Sequence, residues 1–457
     1  MWLNYVTAAA ALGLCTWGLL NPYAGLLGLL VFNVAQPEQV FTLLGALHVE
    51  KICGILIILS FVIRSHRLRV TRIGGWMLAF YAAVLASVPL AYWISNALDN
   101  ALDFGKTVLL SLLIVNLVNT PKRLRTFLTV YGLLLGYIAV SALIKFYSGS
   151  FYFDGTFDRL VGLTNDSNAP DTLGLTMVAA LPMLLMFLGK GNGKLRLVML
   201  GLAATCLWCM LLTGSRTGLY TLAVLLGLYI LGSKRRFVLL PITLAACAVV
   251  WMVLPNQYQT RYESTMTAAG RASDEAYQLR LLSWQGGWHM FLHNPLTGIG
   301  VGDYADANGG QYWPIAERRI YLDAHSMFFK IIGELGLFGL ITFAGMVTIL
   351  VRTNIDIRKQ LEKANGPPWL CALPRATNYV IFVLLFAGYA SHDVYRSTWY
   401  LLAGLTAATS AMVAAQTPGE FELAAPAPAP PPEAAAGFVA AGPGSLSVAA
   451  WRRSARR

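Results

Sequence analysis

Charged residues are scarce in this sequence, making up 12% of its 457 residues, whereas hydrophobic residues make up 56%. Soluble domains contain about 25% charged residues, so this composition excludes an ordinary soluble protein. The apolar runs are about 16 to 25 residues long, as in helices that cross about 30 Å of hydrocarbon, and none alternates like a barrel strand. The sequence therefore predicts an all-α polytopic membrane protein, a bundle of about 12 transmembrane helices with a large loop containing short helices.

Cysteines placed to form disulfides are also lacking. Five of the six cysteines lie inside apolar runs, and Cys371 lies in a basic loop, so none is placed to form a disulfide outside the cytoplasm. Cys206 and Cys209 have CxxC spacing. Their surroundings, LAATCLWCMLL, favour packing in the lipid phase over metal or redox chemistry.

The usual signatures of metal and nucleotide sites are missing as well. His289 and His293 are spaced as paired zinc ligands on a helix can be, but no HExxH glutamate accompanies them. Asp303 and Asp306 belong to no DxD motif, and the glycines of residues 295–302 do not follow the GxGxxG spacing. We therefore expect no metal, no nucleotide and no other cofactor.

The apolar runs predict twelve spans. The first run contains Asn21-Pro22, and because proline removes a backbone donor, this run is either one kinked span or two short spans. It has no basic segment before it and no small-residue cleavage site after it, so we expect it to be retained. The spans are predicted at about 5–34, 43–64, 74–94, 104–119, 126–147, 170–189, 195–213, 217–232, 237–254, 325–351, 376–393 and 397–415.

Basic residues are concentrated in alternate loops, although the net charge of +12 by itself would suggest nucleic acid. This distribution is the positive-inside bias of membrane proteins, so it predicts contact with membrane lipids, no nucleic-acid partner and a cytoplasmic position for those loops. The loops carry 22 of the 34 Lys and Arg residues, namely Arg64, Arg67, Arg69, Arg72, Lys122, Arg123, Arg125, Lys190, Lys194, Arg196, Lys234, Arg235, Arg236, Arg352, Arg358, Lys359, Lys363, Arg375, Arg452, Arg453, Arg456 and Arg457.

The predicted organisation has four parts. Residues 1–254 form an N-terminal bundle, 255–324 a long extracytoplasmic loop and 325–416 the C-terminal transmembrane helices. Residues 417–457 are rich in proline and alanine, a composition typical of a disordered tether. By the alternation of loops, Arg159, Arg216 and the long loop all face away from the cytoplasm.

Polar residues that could carry chemistry collect on that face. Arg216 lies between two spans in the sequence Thr213-Gly-Ser-Arg-Thr-Gly218, where its planar guanidinium suits a phosphate, although an arginine that contacts lipid headgroups is the alternative. Arg280 opens a stretch with Trp284 that reads as an interfacial amphipathic helix. For the glycines of residues 295–302, a tight turn at the membrane surface is expected.

His325 lies where a polar loop becomes a membrane helix. A neutral imidazole there, near Asp323, could serve as a general base close to neutral pH, with a helix-capping histidine as the alternative. Lys330 and Glu334 follow in the first turns, and the glycines 336 and 339 favour close helix packing. His392-Asp393 is a weaker candidate on the same side.

Four motifs together resemble the O-antigen ligase and polymerase superfamily. They are SRTG at residues 215–218, R-x-x-x-W at 280–284, P-L-x-G-x-G-x-G at 295–302 and H-S-x7-E-x-G-x-x-G at 325–339. The resemblance implies an active site on the periplasmic face of the bacterial inner membrane, acting on a glycan linked to undecaprenyl diphosphate without metal or nucleotide sugar. It also implies that His325 is the catalytic histidine and that Arg216 and Arg280 bind the diphosphate.

Within that superfamily, the expected function is an O-antigen ligase that moves O-antigen from undecaprenyl diphosphate to a sugar hydroxyl of lipid A-core, with inversion. An O-antigen polymerase or a protein O-oligosaccharyltransferase would share every motif. A transporter or flippase is the alternative from another class, but Lys106 and Lys145 lie near span ends rather than centres. Residues expected to support the site are Arg159, Ser215, Trp284, His289, His293, Arg318, Arg319, Asp323 and Glu334.

Overall fold

Long helices dominate the computed structural model. The structure describes residues 7, 11, 13, 16–64, 68–153, 155, 157–164, 167–189, 193–264, 275–315 and 319–415. Within these ranges eight helices are long and apolar enough to cross a membrane, and the strands are only two residues each. The predicted all-α polytopic membrane fold is confirmed.

Twelve long helices of the described part each overlap one predicted span. Their bounds are α1 Pro22–Ala35, α4 Val49–Ile63, α5 Arg72–Ser87, α6 Ile94–Leu117, α7 Pro121–Tyr147, α8 Pro170–Leu185, α9 Gly193–Leu212, α10 Arg216–Leu231, α11 Arg236–Val253, α15 Met327–Lys363, α16 Pro368–Ala387 and α17 Ser397–Ala415.

Other elements connect them, and three helices, α12 to α14, lie in the predicted long loop. These further α-helices are α2 Pro37–Val40, α3 Thr42–Ala46, α12 Asn256–Ser264, the 19-residue α13 Glu275–His293 and α14 Tyr304–Ala307. Tighter or wider turns occur at Val88–Leu90, Met186–Leu188 and Asn308–Tyr312, and strands β1 Tyr152–Phe153 and β2 Asp158–Arg159 pair antiparallel.

The first apolar run is broken at Asn21, as its Asn-Pro pair suggested. Residues 16–20 are helical, and the Asn21 side chain then caps α1 by accepting hydrogen bonds from the amides of Tyr23 and Ala24. A methyl group added at Gly18 would lie 3.0 Å from the Cα of Gly25. Residues seven apart on one straight helix are separated by about 10 Å, so the chain turns back at Asn21 and the two helical pieces pack together.

Helix α15 is the central element of the bundle. It packs against α5, α13, α16 and α17. Its 37 residues correspond to about 55 Å, well beyond the ~30 Å of a bilayer core. The predicted span ended at residue 351, whereas the helix continues to Lys363 because Asn354, Ile357 and Leu361 keep one face of the extension buried.

Gly336 interrupts α15 with non-helical torsion angles, φ 59° and ψ −151°. Residues 295–300, which were expected to form a surface turn, insert at this break. The amides of Leu337 and Phe338 donate to the carbonyls of Pro295 and Leu296 at 2.8 and 3.1 Å. In return, the amides of residues 299 and 300 donate to carbonyls 333 and 334. Irregular backbone is tolerated in a membrane helix when neighbouring protein supplies such partners.

The loop of residues 295–300 and the break in α15 both need glycine where they contact each other. A side chain at Gly336 would lie 2.6 Å from the carbonyl oxygen of Leu296, and a side chain at Gly298 would collide with the carbonyl of Glu334. The positive φ of Gly336 is also unfavourable for any residue with a Cβ atom. The P-L-x-G-x-G-x-G and E-x-G-x-x-G motifs are thus two halves of one packing contact.

Helix α6 begins at Ile94, ten residues before the predicted span. Its start is tied to the loop after α13, because Asp303 accepts hydrogen bonds from the Trp93 amide and from Asn96 Nδ2, both at 2.7 Å. This contact brings residues 91–93 to the same end of the bundle as the described residues of 148–153, 155, 157–164, 167–169, 213–215, 254–264, 275–315, 319–326 and 388–396. We call this set the loop-rich end.

Candidate active site

The SRTG turn starts helix α10 at the loop-rich end. The Ser215 hydroxyl caps the helix by accepting a hydrogen bond from the Gly218 amide at 3.1 Å. Arg216 is therefore the first residue of the helix, and its side chain is half-buried. The serine caps the helix because its oxygen satisfies an amide that has no partner within the helix.

The buried Arg159 stabilises the SRTG turn. Its side chain is only 7% exposed. Its Nε donates to the carbonyl of Thr213 at 2.8 Å, and its Nη2 donates to Asp171 Oδ1 at 3.2 Å. A buried guanidinium requires such partners. Arg159, which was expected to support the site, therefore positions the backbone of the SRTG turn.

Asp171 joins the two arginine-bearing segments, a role that the sequence did not reveal. Its carboxylate pairs with Arg159, accepts a hydrogen bond from Ser215 and is stabilised electrostatically by Arg280. The first turn of α8 therefore lies between the SRTG turn and α13. The only sequence signal was an acidic residue beside Pro170, at the start of a span on the face that carries the arginines.

Helix α13 holds in place the two residues that precede His325 in the sequence. The Ser283 hydroxyl donates to the carbonyl of Asp323 at 3.0 Å, and Trp284 Nε1 donates to the carbonyl of Ala324 at 2.9 Å. The Trp284 ring also stacks on Phe329, with centroids 5.4 Å apart. These contacts hold residues 323 and 324 against the helix that carries Arg280 one turn earlier.

His325 occupies a left-handed backbone conformation, with φ 44°. Its ring contacts His392 edge to face, with centroids 5.2 Å apart. Burial, together with the charges of His392 and Arg280, lowers the pKa of His325 to about 4. The imidazole is therefore neutral at pH 7 and able to accept a proton.

An ion-pair network lies next to His325. Asp323 Oδ2 accepts a hydrogen bond from Lys330 Nζ at 2.7 Å and lies 3.8 Å from His392 Nε2. Burial opposes ionisation of Asp323, but Lys330 and His392 outweigh it and lower its pKa to about 2. Asp323 therefore stays ionised, which allows it to orient the neighbouring Lys330 and His392 side chains.

Glu334 is fully buried at the break of α15. Its oxygens accept a hydrogen bond from the Tyr395 hydroxyl at 2.7 Å and one from the Tyr304 amide at 3.4 Å, and Lys330 Nζ lies 3.6 Å away. With these partners the carboxylate is engaged in holding the turn after α16 and the loop after α13. Its contacts are those of a structural residue.

Other expected supporting residues lie outside this cluster. His289 and His293 are exposed on α13, where His293 Nδ1 lies 2.8 Å from the carbonyl of His289. Arg319 is exposed, and Arg318 falls outside the described residues. No group of three potential metal ligands occurs in the described part of the chain.

The cluster thus combines Arg280, His325 and Asp171 with the start of α10, where Arg216 lies. Guanidinium groups can stabilise negative charge on a diphosphate, and a neutral imidazole can accept a proton. The geometry therefore suits group transfer from a phosphorylated carrier at a membrane surface.

Part of the chain matches a family of known proteins. Residues 201–344, which include all four motifs, match the family model described as O-antigen ligase. The match spans 144 of the 457 residues and supports the O-antigen ligase superfamily for this multi-pass membrane protein, without separating ligases from polymerases. Members of the family are glycosyltransferase-like enzymes that act on lipid-linked glycans. No curated protein matches the chain.

Proposed function

We propose that this protein is an O-antigen ligase that transfers O-antigen from undecaprenyl diphosphate to a sugar hydroxyl of lipid A-core. In this proposal the transfer takes place on the periplasmic side of the bacterial inner membrane, which the concentration of basic residues in the opposite loops supports. The observation that carries the proposal is that Ser283 and Trp284 hold the residues just before the half-buried His325 against the helix that carries Arg280.

In the proposed reaction His325 takes the proton from the acceptor hydroxyl as its oxygen attacks the anomeric carbon of the donor. The new bond forms opposite the diphosphate, so the configuration inverts. The bond between the anomeric carbon and the diphosphate oxygen breaks, and the diphosphate leaves with the electron pair. A positioned base contributes about 10²- to 10⁴-fold to such a step.

Arg216 and Arg280 stabilise the charge that develops on the departing diphosphate. Fixed cationic donors can do this without a metal ion in a site shielded from water. Arg159 pairs directly with Asp171, at a distance of 3.2 Å, and so offsets the charge of that carboxylate. Arg216 and Arg280 are the positive groups proposed to contact the donor diphosphate.

An O-antigen polymerase is the second candidate, because the family match covers both activities. The two enzymes differ in the acceptor, which is lipid A-core for the ligase and another lipid-linked glycan for the polymerase. A protein O-oligosaccharyltransferase would instead use a hydroxyl of a protein.

A cell-free assay separates these candidates. The purified full-length protein is given an undecaprenyl diphosphate-linked glycan and, in parallel, lipid A-core, a second lipid-linked glycan or a serine-rich peptide. We expect glycan transfer to lipid A-core only. Transfer to the lipid-linked glycan or the peptide alone would contradict the ligase assignment, and no transfer to any acceptor would contradict a transferase.

A further inference from the structure

A second feature of the loop-rich end is a cavity of about 960 Å³ next to the candidate active site. It lies between α1, α4 and α6, and Lys330, His392 and Arg396 form its end nearest His325. The wall towards the surrounding lipid is apolar and includes Ile55 and Ile58, which are 63% and 37% exposed. The cavity therefore connects the catalytic cluster with the side of the bundle.

The polar lining of this cavity is electrically balanced. Four lysine and arginine side chains are matched by four carboxylates, and amide side chains such as Asn33 and Asn100 lie among them. Arg216 and Arg280 are not among the described residues that line the cavity. A diphosphate needs an excess of positive charge, whereas amides and paired charges suit the hydroxyl groups of an uncharged sugar.

The buried polar atoms of the lining include some with unsatisfied hydrogen-bonding capacity. Asn33 Oδ1 and His392 Nδ1 are shielded from solvent and have no hydrogen-bond partner among the described residues. Native proteins satisfy nearly all buried polar groups, so such exceptions call for a partner. Both atoms belong to residues that line the same cavity, and a bound molecule with hydroxyl groups would supply that partner.

His392 connects this cavity to the proposed chemistry. Its ring contacts that of His325, and its Nε2 lies 3.8 Å from Asp323 Oδ2. Its other nitrogen, Nδ1, is the unsatisfied atom. A hydroxyl bound to His392 would therefore lie close to the base that must deprotonate it.

We propose that this cavity binds the glycan head group of the membrane-anchored acceptor and that Asn33 and His392 hydrogen-bond its hydroxyl groups. The assignment rests on the proposed glycosyl transfer and adds the place of its second substrate. The donor diphosphate occupies the side of His325 that carries Arg280, and the acceptor approaches from the side that carries His392. The apolar wall allows the hydrocarbon part of the acceptor to stay in the membrane.

A bulky residue at Gly54 tests this assignment. Gly54 lines the cavity, and a Cβ atom added there meets no other atom within 4 Å. Gly54→Trp would place an indole ring in part of the cavity, and its Cβ would meet no clash. We expect the KM for lipid A-core to rise at least about tenfold, with the KM for the donor within about twofold of wild type, because only the acceptor loses its site.

Gly75→Trp is the matched control. Gly75 is exposed on α5, its added Cβ likewise meets nothing within 4 Å, and it does not line the cavity. We expect this variant to keep both KM values. A rise in the donor KM for Gly54→Trp would instead assign the cavity to the polyprenyl chain and overturn the proposal, as would unchanged KM values for both substrates.

Asn33→Leu provides a gentler second test. It removes the unsatisfied oxygen with little change in volume, so the KM for the acceptor should rise about two- to tenfold while kcat at saturating acceptor stays near wild type. An unchanged acceptor KM would contradict a hydrogen bond from an acceptor hydroxyl to Asn33 Oδ1. If glycan transfer itself is wrong, the wild-type protein gives no product, so failure of the proposed function is distinguishable from failure of this inference.

Discussion

The two sides of helix α13 carry similar residues but have different surroundings. One side carries Arg280, Ser283 and Trp284 and packs against the chain in front of His325. The other side carries the exposed His289 and His293, and Trp288, one turn beyond Trp284, is 48% exposed. Both sides combine aromatic and ionisable residues, yet only the first makes contacts with the candidate active site.

This difference shows that spacing alone is a poor guide to function. His289 and His293 have the regular spacing of a metal-binding pair, but their rings are exposed. His325 and His392 are far apart in sequence, and the fold brings their rings within 5.2 Å. The contact depends on the turn after α16, where the Gly388 carbonyl accepts a hydrogen bond from the Met327 amide at 2.7 Å.

The largest expected effect follows from removing the base. His325→Ala should reduce kcat for glycan transfer by about 10²- to 10⁴-fold, because it removes the proposed general base. The same substitution on the other side of α13, His289→Ala, should leave kcat within about twofold. The measurement is single-turnover transfer by purified protein. Near wild-type turnover by His325→Ala would refute the mechanism.

A smaller loss is expected for Arg280→Lys, which keeps the charge but removes the planar fork. We expect kcat/KM for the donor to fall about ten- to a hundredfold, because lysine cannot make the paired hydrogen bonds of a guanidinium to a diphosphate. Arg319→Lys, at an exposed position, is the control. Full activity of Arg280→Lys would argue against diphosphate binding by this residue.

The pH dependence provides a third comparison. Burial and the charges of His392 and Arg280 lower the pKa of His325 to about 4 from the usual 6.5. The neutral, active form then persists at pH 5, where we expect about 90% of the maximal kcat/KM, against only a few per cent for an unshifted imidazole. A profile from pH 4 to 8 measures this, and an acidic limb centred near pH 6.5 would contradict it.

The same shift has a consequence for stability. Between about pH 4 and pH 6.5 the unfolded chain binds a proton at His325 that the folded protein does not bind. The stability of the folded state should therefore fall as the pH decreases through this window. Thermal unfolding should show a smaller decrease for His325→Ala, which has no imidazole to titrate.

The smallest effect is expected for Trp284→Phe. The substitution keeps a ring that can stack on Phe329 but removes the hydrogen bond to the Ala324 carbonyl, which is worth about 1 kcal/mol. We expect kcat to fall about two- to tenfold with little change in KM, because His325 is less well positioned. Trp288→Phe, one turn further along and 48% exposed, should change neither value. Equal losses in both variants would contradict a specific positioning role for Trp284.

Much of the architecture follows from composition. The apolar runs predicted the twelve long helices because each must satisfy its own backbone in lipid. Their ends were less predictable: α6 starts early because Asp303 binds its first residues, and α15 ends late because its extension has a buried face. Both boundaries depend on contacts between segments far apart in sequence.

The candidate site was predictable in its residue types but not in its connections. Arg216, Arg280 and His325 stood out as ionisable residues on one face of the membrane, and their roles remain predictions. Asp171 was missed because a single acidic residue in the first turn of a span has no distinctive pattern. The cavity was missed because its walls come from α1, α4 and α6, which lie before the recognised motifs.

The insertion of residues 295–300 into the break of α15 also bears on how the protein is made. The loop leaves the ribosome about 40 residues before Phe338, a delay of roughly 2 to 8 s at 5 to 20 residues per second. Until then its amides and carbonyls must be satisfied by water, since their partners do not yet exist. We therefore expect the loop to wait at the membrane surface and the active site to mature only after the second half of α15 has entered the bilayer.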